Sequence, residues 1–253
     1  MTDRLHTIEA GSRSLPTTVL LHGFGGNAEV WRNVIDAMEG RAHVLAFDLP
    51  GHGGSLNYLN FGSPRVAASA VAQEMKLRGI DRFHVVGHSM GGAVAVLVAL
   101  DGPENVASLT LLAPGGFGAE INADTMHSFA TATSRGDMSV CFAMMSGRGA
   151  DAPETRLSTA AAMRAKPGQI DALALILAKI MRDGRQGQLP LDALAALPIP
   201  VQILWGDADA VVPVEQLIAA PGQFKKTILK SAGHMLIDEK PDAVIDAILG
   251  PLT

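Results

Sequence analysis

Ser89 stands in the run Gly87-His88-Ser89-Met90-Gly91-Gly92. Phe83-His84-Val85-Val86 precedes it, and the apolar residues 93–100 follow it. That order predicts strand, tight turn, helix. A serine at the tip of such a turn projects its hydroxyl out of a sheet, and small residues two positions to each side let neighbouring backbone pass close. The helix that follows points backbone N–H groups at any anion that develops there. Those are the requirements of a nucleophile for acyl transfer.

Acyl transfer also needs two N–H donors for the oxyanion of its tetrahedral intermediate. Met90, directly after the serine, supplies one. The second is expected from Phe24, in the run His22-Gly23-Phe24-Gly25-Gly26 that closes the strand 17–21. Both donors act through backbone, so side-chain identity matters little to the charge.

A serine hydroxyl is a poor nucleophile until a base takes its proton. Of the eight histidines, His22, His52 and His88 lie in glycine-rich turns, where local hydrogen bonding accounts for them. His43 and His84 open strands and are expected to face solvent. His6 falls in the exposed N-terminal stretch and His127 in a helical segment. His234 remains, in a loop between the last strand and the last helix. In a doubly wound sheet that loop shares an edge with Ser89. An imidazole of ordinary pKa near ~6.5 suits neutral chemistry. The orienting acid comes from Gly206-Asp207-Ala208-Asp209, after the next-to-last strand. Asp209 is the choice and Asp207 the reserve.

The elements that must position these groups are legible as an alternation. Residues 17–21, 43–47, 83–86, 109–112, 201–204 and 226–229 predict short strands, mostly apolar enough to be buried on both faces of a parallel sheet. Residues 28–38, 64–78, 91–100, 213–220 and 241–249 predict the helices between them, with Pro64, Pro213 and Pro241 near helix starts. The whole implies an α/β fold, a mostly parallel doubly wound sheet with helices on both faces. Residues 119–190 break the rhythm: no strand is evident, and 169–183 has the apolar spacing of a helix. A helical cap over 119–190 is therefore expected, inserted into a core of 1–118 and 191–253.

Bulk composition closes off other classes. The 253 residues suffice for one such domain with a sizeable core. A net charge of −5 with no basic stretch argues against nucleic acid. The longest apolar run falls far short of the ~20 residues of a membrane span. Residues 1–11 lack the apolar centre of a signal peptide, and Cys141 has no partner for a disulfide, so a cytoplasmic setting is expected. No cluster has zinc-ligand spacing, and no Gly-x-Gly-x-x-Gly opens a helix after the first strand. Neither a metal nor another cofactor is expected.

On these residues the chain resembles the α/β-hydrolase superfamily over nearly its whole length. The resemblance rests on 22–26, Asp48-Leu49-Pro50-Gly51-His52-Gly53, 87–91, 206–213, and Gly233-His234 followed by Glu239-Lys240-Pro241. It implies that the acid is the aspartate three residues after the glycine of the Gly-x-x-Asp turn, which is Asp209. A narrower likeness, in 111–122 and 183–200, is to the hydrolase-like domain of the acetyltransferase subunit of acetoin dehydrogenase complexes. In those subunits a lipoyl domain comes first. The present sequence opens on the hydrolase-like region and has no Asp-Lys dipeptide of the kind that presents a lipoylated lysine. A free-standing hydrolase is therefore expected.

Six of the eleven methionines fall in the expected cap, together with Phe129 and Phe142. Adaptable apolar side chains suit a pocket for small or medium hydrophobic acyl groups. Met126, Phe129, Phe142 and Met145 are the candidate substrate-binding residues. Arg135, Arg148 and Arg164 could hold a substrate carboxylate, though a solvated helix face explains them as well. The expected reaction is hydrolysis of a small ester or related acyl substrate through an acyl-enzyme. Carbon–carbon or enol-lactone hydrolysis uses the same residues. A non-catalytic domain accompanying an acyltransferase is the alternative outside enzymes.

Overall fold

In a computed structural model of the protein, residues 3–147 and 152–252 are described. Seven strands form one sheet in the order β1-β3-β2-β4-β5-β8-β9. Here β1 is Thr7–Ala10, β2 Thr17–Leu21, β3 His43–Phe47, β4 Phe83–His88, β5 Val106–Leu112, β8 Val201–Gly206 and β9 Lys225–Leu229. Strand β1 is antiparallel to β3, and every other pairing in this sheet is parallel. All ten residues of β2 and β3 are buried. A parallel sheet covered on both faces requires this, and it explains why these strands are near-continuous apolar runs after their first residues rather than alternating ones. Each fully buried Val, Leu or Phe there contributes about 1.5–3 kcal/mol.

The chain leaves β2 to one side for β3 and returns past it to β4. The strand order therefore reverses between β2 and β4, and the loops leaving their C-terminal ends diverge there. Such a switch point is where an open α/β sheet leaves a crevice for a ligand.

Helices cover the faces. They are α1 (Arg32–Ala37), preceded by a 3-10 turn at Ala28–Trp31, α2 (Pro64–Leu77) and α3 (Met90–Asp101). Ten of the twelve α3 residues are buried, so only its C-terminal end reaches solvent. Between β5 and β8 come α4 (Ala123–Thr131), α5 (Arg135–Met145), α6 (Glu154–Arg164) and α7 (Gln169–Ile180). Local signals start two of them: the Asn122 side chain accepts from the Thr125 N–H, and that of Ser134 from the Asp137 N–H. On α5, Met138, Cys141, Phe142 and Met145 are the buried residues, at the i, i+3, i+4, i+7 spacing of one helix face. Helix α8 (Leu191–Ala195) returns the chain to the sheet, and α9 (Glu215–Ala219), α10 (Leu236–Glu239) and α11 (Pro241–Leu249) complete it.

Several expectations need correction. Strand β1 was not anticipated: four half-exposed residues on an antiparallel edge carry little apolar signal. Its presence buries His43, which was expected in solvent. The imidazole lies between the Thr17 hydroxyl (3.1 Å) and the Glu9 carboxylate (3.0 Å). That contact is the main reason Glu9 is held down to about 2. The helix expected over 169–183 stops at Ile180. A two-strand hairpin follows, β6 (Met181–Arg182) and β7 (Arg185–Gln186). Its turn is Asp183-Gly184, with φ of 52° and 72°, the positive pair a type I′ hairpin demands. The helix expected from 213 begins two residues later, at Glu215.

Candidate functional site

Strand β4 ends at His88 and α3 begins at Met90, leaving Ser89 to turn the corner alone. Its φ of 53° and ψ of −118° lie outside the basins favoured by L-residues. The surroundings hold it there. The Ser89 N–H donates to the Leu112 carbonyl (2.9 Å), and its carbonyl accepts from Gly92 and Gly115 (both 2.9 Å). Two glycines make room. A Cβ on Gly87 would lie 2.3 Å from the Gly91 carbonyl oxygen, and one on Gly91 2.3 Å from that of Leu21.

The loops after β8 and β9 bring up the other two groups. His234 Nε2 lies 2.9 Å from Ser89 Oγ, and its Nδ1 lies 2.8 Å from Asp209 Oδ2. The second Asp209 oxygen accepts from the Val211 and Val212 N–H groups at 2.8 and 3.0 Å. One oxygen thus anchors the carboxylate while the other faces the imidazole. The side chains of His234 and Asp209 are 4% and 0% exposed. This arrangement fixes the tautomer: Nδ1–H donates to Asp209 and Nε2 accepts from the serine hydroxyl. A hydroxyl so placed can lose its proton as it attacks a carbonyl. Asp207 is elsewhere, accepting from the Ser231 N–H (2.7 Å) beside Lys230.

Backbone contacts seat the His234 loop. The Glu239 carboxylate accepts from Gly147, Gly233 and Met235 N–H groups at 2.7, 2.9 and 3.0 Å. The His234 N–H donates to the Met145 carbonyl (2.7 Å), the last residue of α5. His88 Nε2–H donates to the His234 carbonyl (2.8 Å). Burial first, and then the neighbouring His234, push the His88 pKa down to about 3. His88 is therefore a neutral brace in the wall rather than a second base. Glu239 and His88 were not among the residues expected from sequence to shape the site. Glu239 gave a faint signal, a carboxylate shortly after Gly233-His234.

The loop after β2 carries Phe24. His22 Nδ1–H donates to the Gly23 carbonyl (2.8 Å), which also accepts from Gly26 (3.1 Å). His22 Nε2 accepts from the Leu49 N–H (2.9 Å), and His52 Nε2 from the Gly25 N–H (3.2 Å). Both imidazoles are pushed below the ordinary histidine range, chiefly by burial. Neutrality is what lets each accept from backbone. Strand β2 lies beside β4, so Phe24 and Met90 come from adjacent strand ends.

Ser89 opens onto two cavities. Met126, Phe129, Phe142 and Met145 all line the first, of about 50 Å³, with Phe24 and His234 on its sheet side. Met163 and Ile237, not anticipated, line it too. The second, of about 300 Å³, shares Ser89, Phe24 and Met126 and reaches Lys179 and Arg65. None of the arginines weighed as carboxylate holders lines either cavity among the described residues. Arg135 pairs with Glu154 at the surface. Arg164 is buried rather than solvated, and Arg148 lies outside the described residues. Among the described residues no His, Cys, Asp or Glu cluster could hold a metal ion, and no helix is long and apolar enough to cross a membrane.

Comparison with known proteins shows the family. Residues 18–247 match the alpha/beta hydrolase family. The acetyltransferase component of the acetoin cleaving system of Cupriavidus necator is 33% identical over 88% of this chain. The chain spans only 60% of that relative's length. A monoacylglycerol lipase of Xenopus laevis is 27% identical over 89% of this chain and 72% of its own. A meta-cleavage product hydrolase of Pseudomonas fluorescens superposes with a TM-score of 0.85 over 98% of this chain and 93% of its own, at 18% identity. At that identity the likeness is one of fold.

Proposed function

The chain belongs to the alpha/beta hydrolase family, and from that premise we propose that it is a serine hydrolase acting on small, fairly hydrophobic esters or related acyl compounds. Ser89 attacks the carbonyl carbon while His234 takes its proton. Asp209 keeps the imidazole in the right tautomer and stabilises the imidazolium. Phe24 and Met90 N–H groups receive the oxyanion. His234 then protonates the leaving group, and water, activated by the same imidazole, releases the acyl group from Ser89. The observation that carries this reading is the buried, hydrogen-bonded row from Ser89 through His234 to Asp209, open to an apolar cavity. The helical segment 119–190 is read as the cap that closes one side of that cavity. A reducing, cytoplasmic setting agrees with a lone buried Cys141.

The test is turnover of p-nitrophenyl esters of graded acyl length, with Ser89→Ala as control. Short chains should be favoured and the variant should be inactive. Equal turnover by the variant would contradict the reading, and so would activity confined to enol-lactones or dienones. A second reading draws on the Cupriavidus relative: the domain accompanies an acetoin-cleaving acetyltransferase without catalysis of its own. It predicts no ester turnover and no acylation of Ser89.

A further inference from the structure

The last residue of α6, Arg164, is 4% exposed, and no carboxylate pairs with it among the described residues. Its guanidinium donates to two carbonyls, Gly25 through Nη1 and Phe129 through Nη2, both at 3.1 Å. It lies 4.5 Å from the centre of the Phe129 ring, within the range of a cation–π contact. Its Nε has no hydrogen-bond partner among the described residues. Burial pulls its pKa down to about 10, which still leaves it charged at neutral pH. A buried cation with no anion is costly and wants an explanation.

The explanation lies in what the cation touches. Gly25 has a φ of 69°, and a Cβ there would stand 2.8 Å from Arg164 Nη2 and 2.7 Å from the Phe129 ring. Three consecutive peptide units of the loop are pinned. The Gly23 carbonyl accepts from His22 and Gly26, the Gly25 N–H donates to His52, and the Gly25 carbonyl accepts from Arg164. The first of these units carries the Phe24 N–H. Only the Arg164 pin comes from the segment between β5 and β8, and the same guanidinium grips α4 through Phe129. The cavity wall and the Phe24 loop are therefore joined through one side chain.

We propose that Arg164 is a positioning residue, which fixes the Gly25 carbonyl so that the Phe24 N–H is aimed at the oxyanion when α4 and α6 are packed over the loop. The proposal rests on the reading of Phe24 as an oxyanion donor. Arg164 does not reach either cavity, so its loss should leave substrate affinity largely alone.

The experiment compares Arg164→Met, Arg164→Lys and Arg164→Ala with the wild type, for kcat, KM, fluorophosphonate labelling rate at Ser89 and Tm. Arg164→Met should lower kcat by about 10–100-fold, somewhat less than removal of an oxyanion donor itself, with KM within about twofold. Labelling should slow in parallel. Arg164→Lys should recover part of the loss, and added guanidinium should raise the Arg164→Ala rate while leaving wild type unchanged. A folded Arg164→Met protein with wild-type kcat would overturn the proposal. So would a loss confined to KM, which would mean that the arginine acts through the Phe129 wall rather than through the Phe24 loop. Should Arg164→Met not fold, Arg164→Lys decides: undiminished kcat refutes the proposal, and reduced kcat at unchanged KM supports it. A wild type that neither turns over esters nor labels would fell the hydrolase reading itself, a result distinct from these.

Discussion

The two walls of the site are built on different principles. The sheet edge is polar and geometrically exacting. The loops after β2, β4, β8 and β9 bring three side chains and the Phe24 loop together with hydrogen bonds of 2.7–3.2 Å. The wall from α4 to α6 is mostly apolar and adaptable, with Met126, Phe129, Phe142, Met145 and Met163 beside Arg156 and Thr159. In the proposed mechanism the first wall has little tolerance for displacement, because a proton would pass between fixed atoms. The second needs only volume and dryness. Chemistry and selectivity should therefore fail separately when each wall is altered.

The largest effect should come from the sheet edge. Ser89→Ala should lower ester turnover by roughly 10⁶-fold with thermal stability nearly unchanged. Asp209→Asn should cost about 10⁴-fold, because the amide favours the wrong imidazole tautomer. Turnover of p-nitrophenyl acetate measures both. A mild loss in either would mean that the polar wall is not the reacting one.

Acid should loosen this wall through its brace. The folded-state pKa of His88, about 3, lies below the ordinary value of 6.5, so the unfolded chain binds its proton first. The stability this group gives to the neutral form is fully present above about pH 6.5. It is lost at about 1.4 kcal/mol per pH unit as the pH falls from there toward 3. His22 and His52 are shifted in the same direction and add to the slope. His88→Gln, which keeps a donor for the His234 carbonyl but does not titrate, should flatten a plot of Tm against pH. An unchanged slope would deny His88 this role.

The apolar wall should respond in selectivity. Met145→Ala removes a fully packed side chain from the first cavity and should cost about 2–5 kcal/mol of stability. It should also raise kcat/KM for longer acyl chains relative to acetate, while the backbone bond from Met145 to His234 remains. A uniform fall across all chain lengths would show that the walls are not separable. The smallest effect belongs to Asp207→Asn, which keeps an acceptor for the Ser231 N–H. Stability should drop by about 0.5–1.5 kcal/mol and turnover should stay within about twofold. A large loss of turnover would reopen the choice between the two aspartates.

The walls also differ in how legible they were. Tight turns must use glycine and fixed spacings, so the position of Ser89 was legible from residue types, and His234 followed from its place in the loop after the last strand. The choice of Asp209 over Asp207 leaned on the resemblance, and the structure brings Ser89, His234 and Asp209 together. The doubly wound sheet followed from continuous apolar runs such as Thr17–Leu21. The helices α4 to α6 were harder. The buried faces of α4 and α6 include Thr125, Ala130, Ala160 and Arg164, small or polar residues that weaken the apolar period, although Asn122 and Ser134 mark two starts in this segment. Residues whose surroundings come from distant chain were read wrongly. His43 is covered by β1, and Arg164 is enclosed by Gly25 and Phe129. Neither neighbourhood is written locally.

The most direct test treats native protein with a fluorophosphonate and maps the adduct by mass spectrometry, in parallel with His234→Ala. One adduct on Ser89 in the wild type, and slow or absent labelling in the variant, is the expected result. An unlabelled Ser89, or equal labelling of both proteins, would contradict the account.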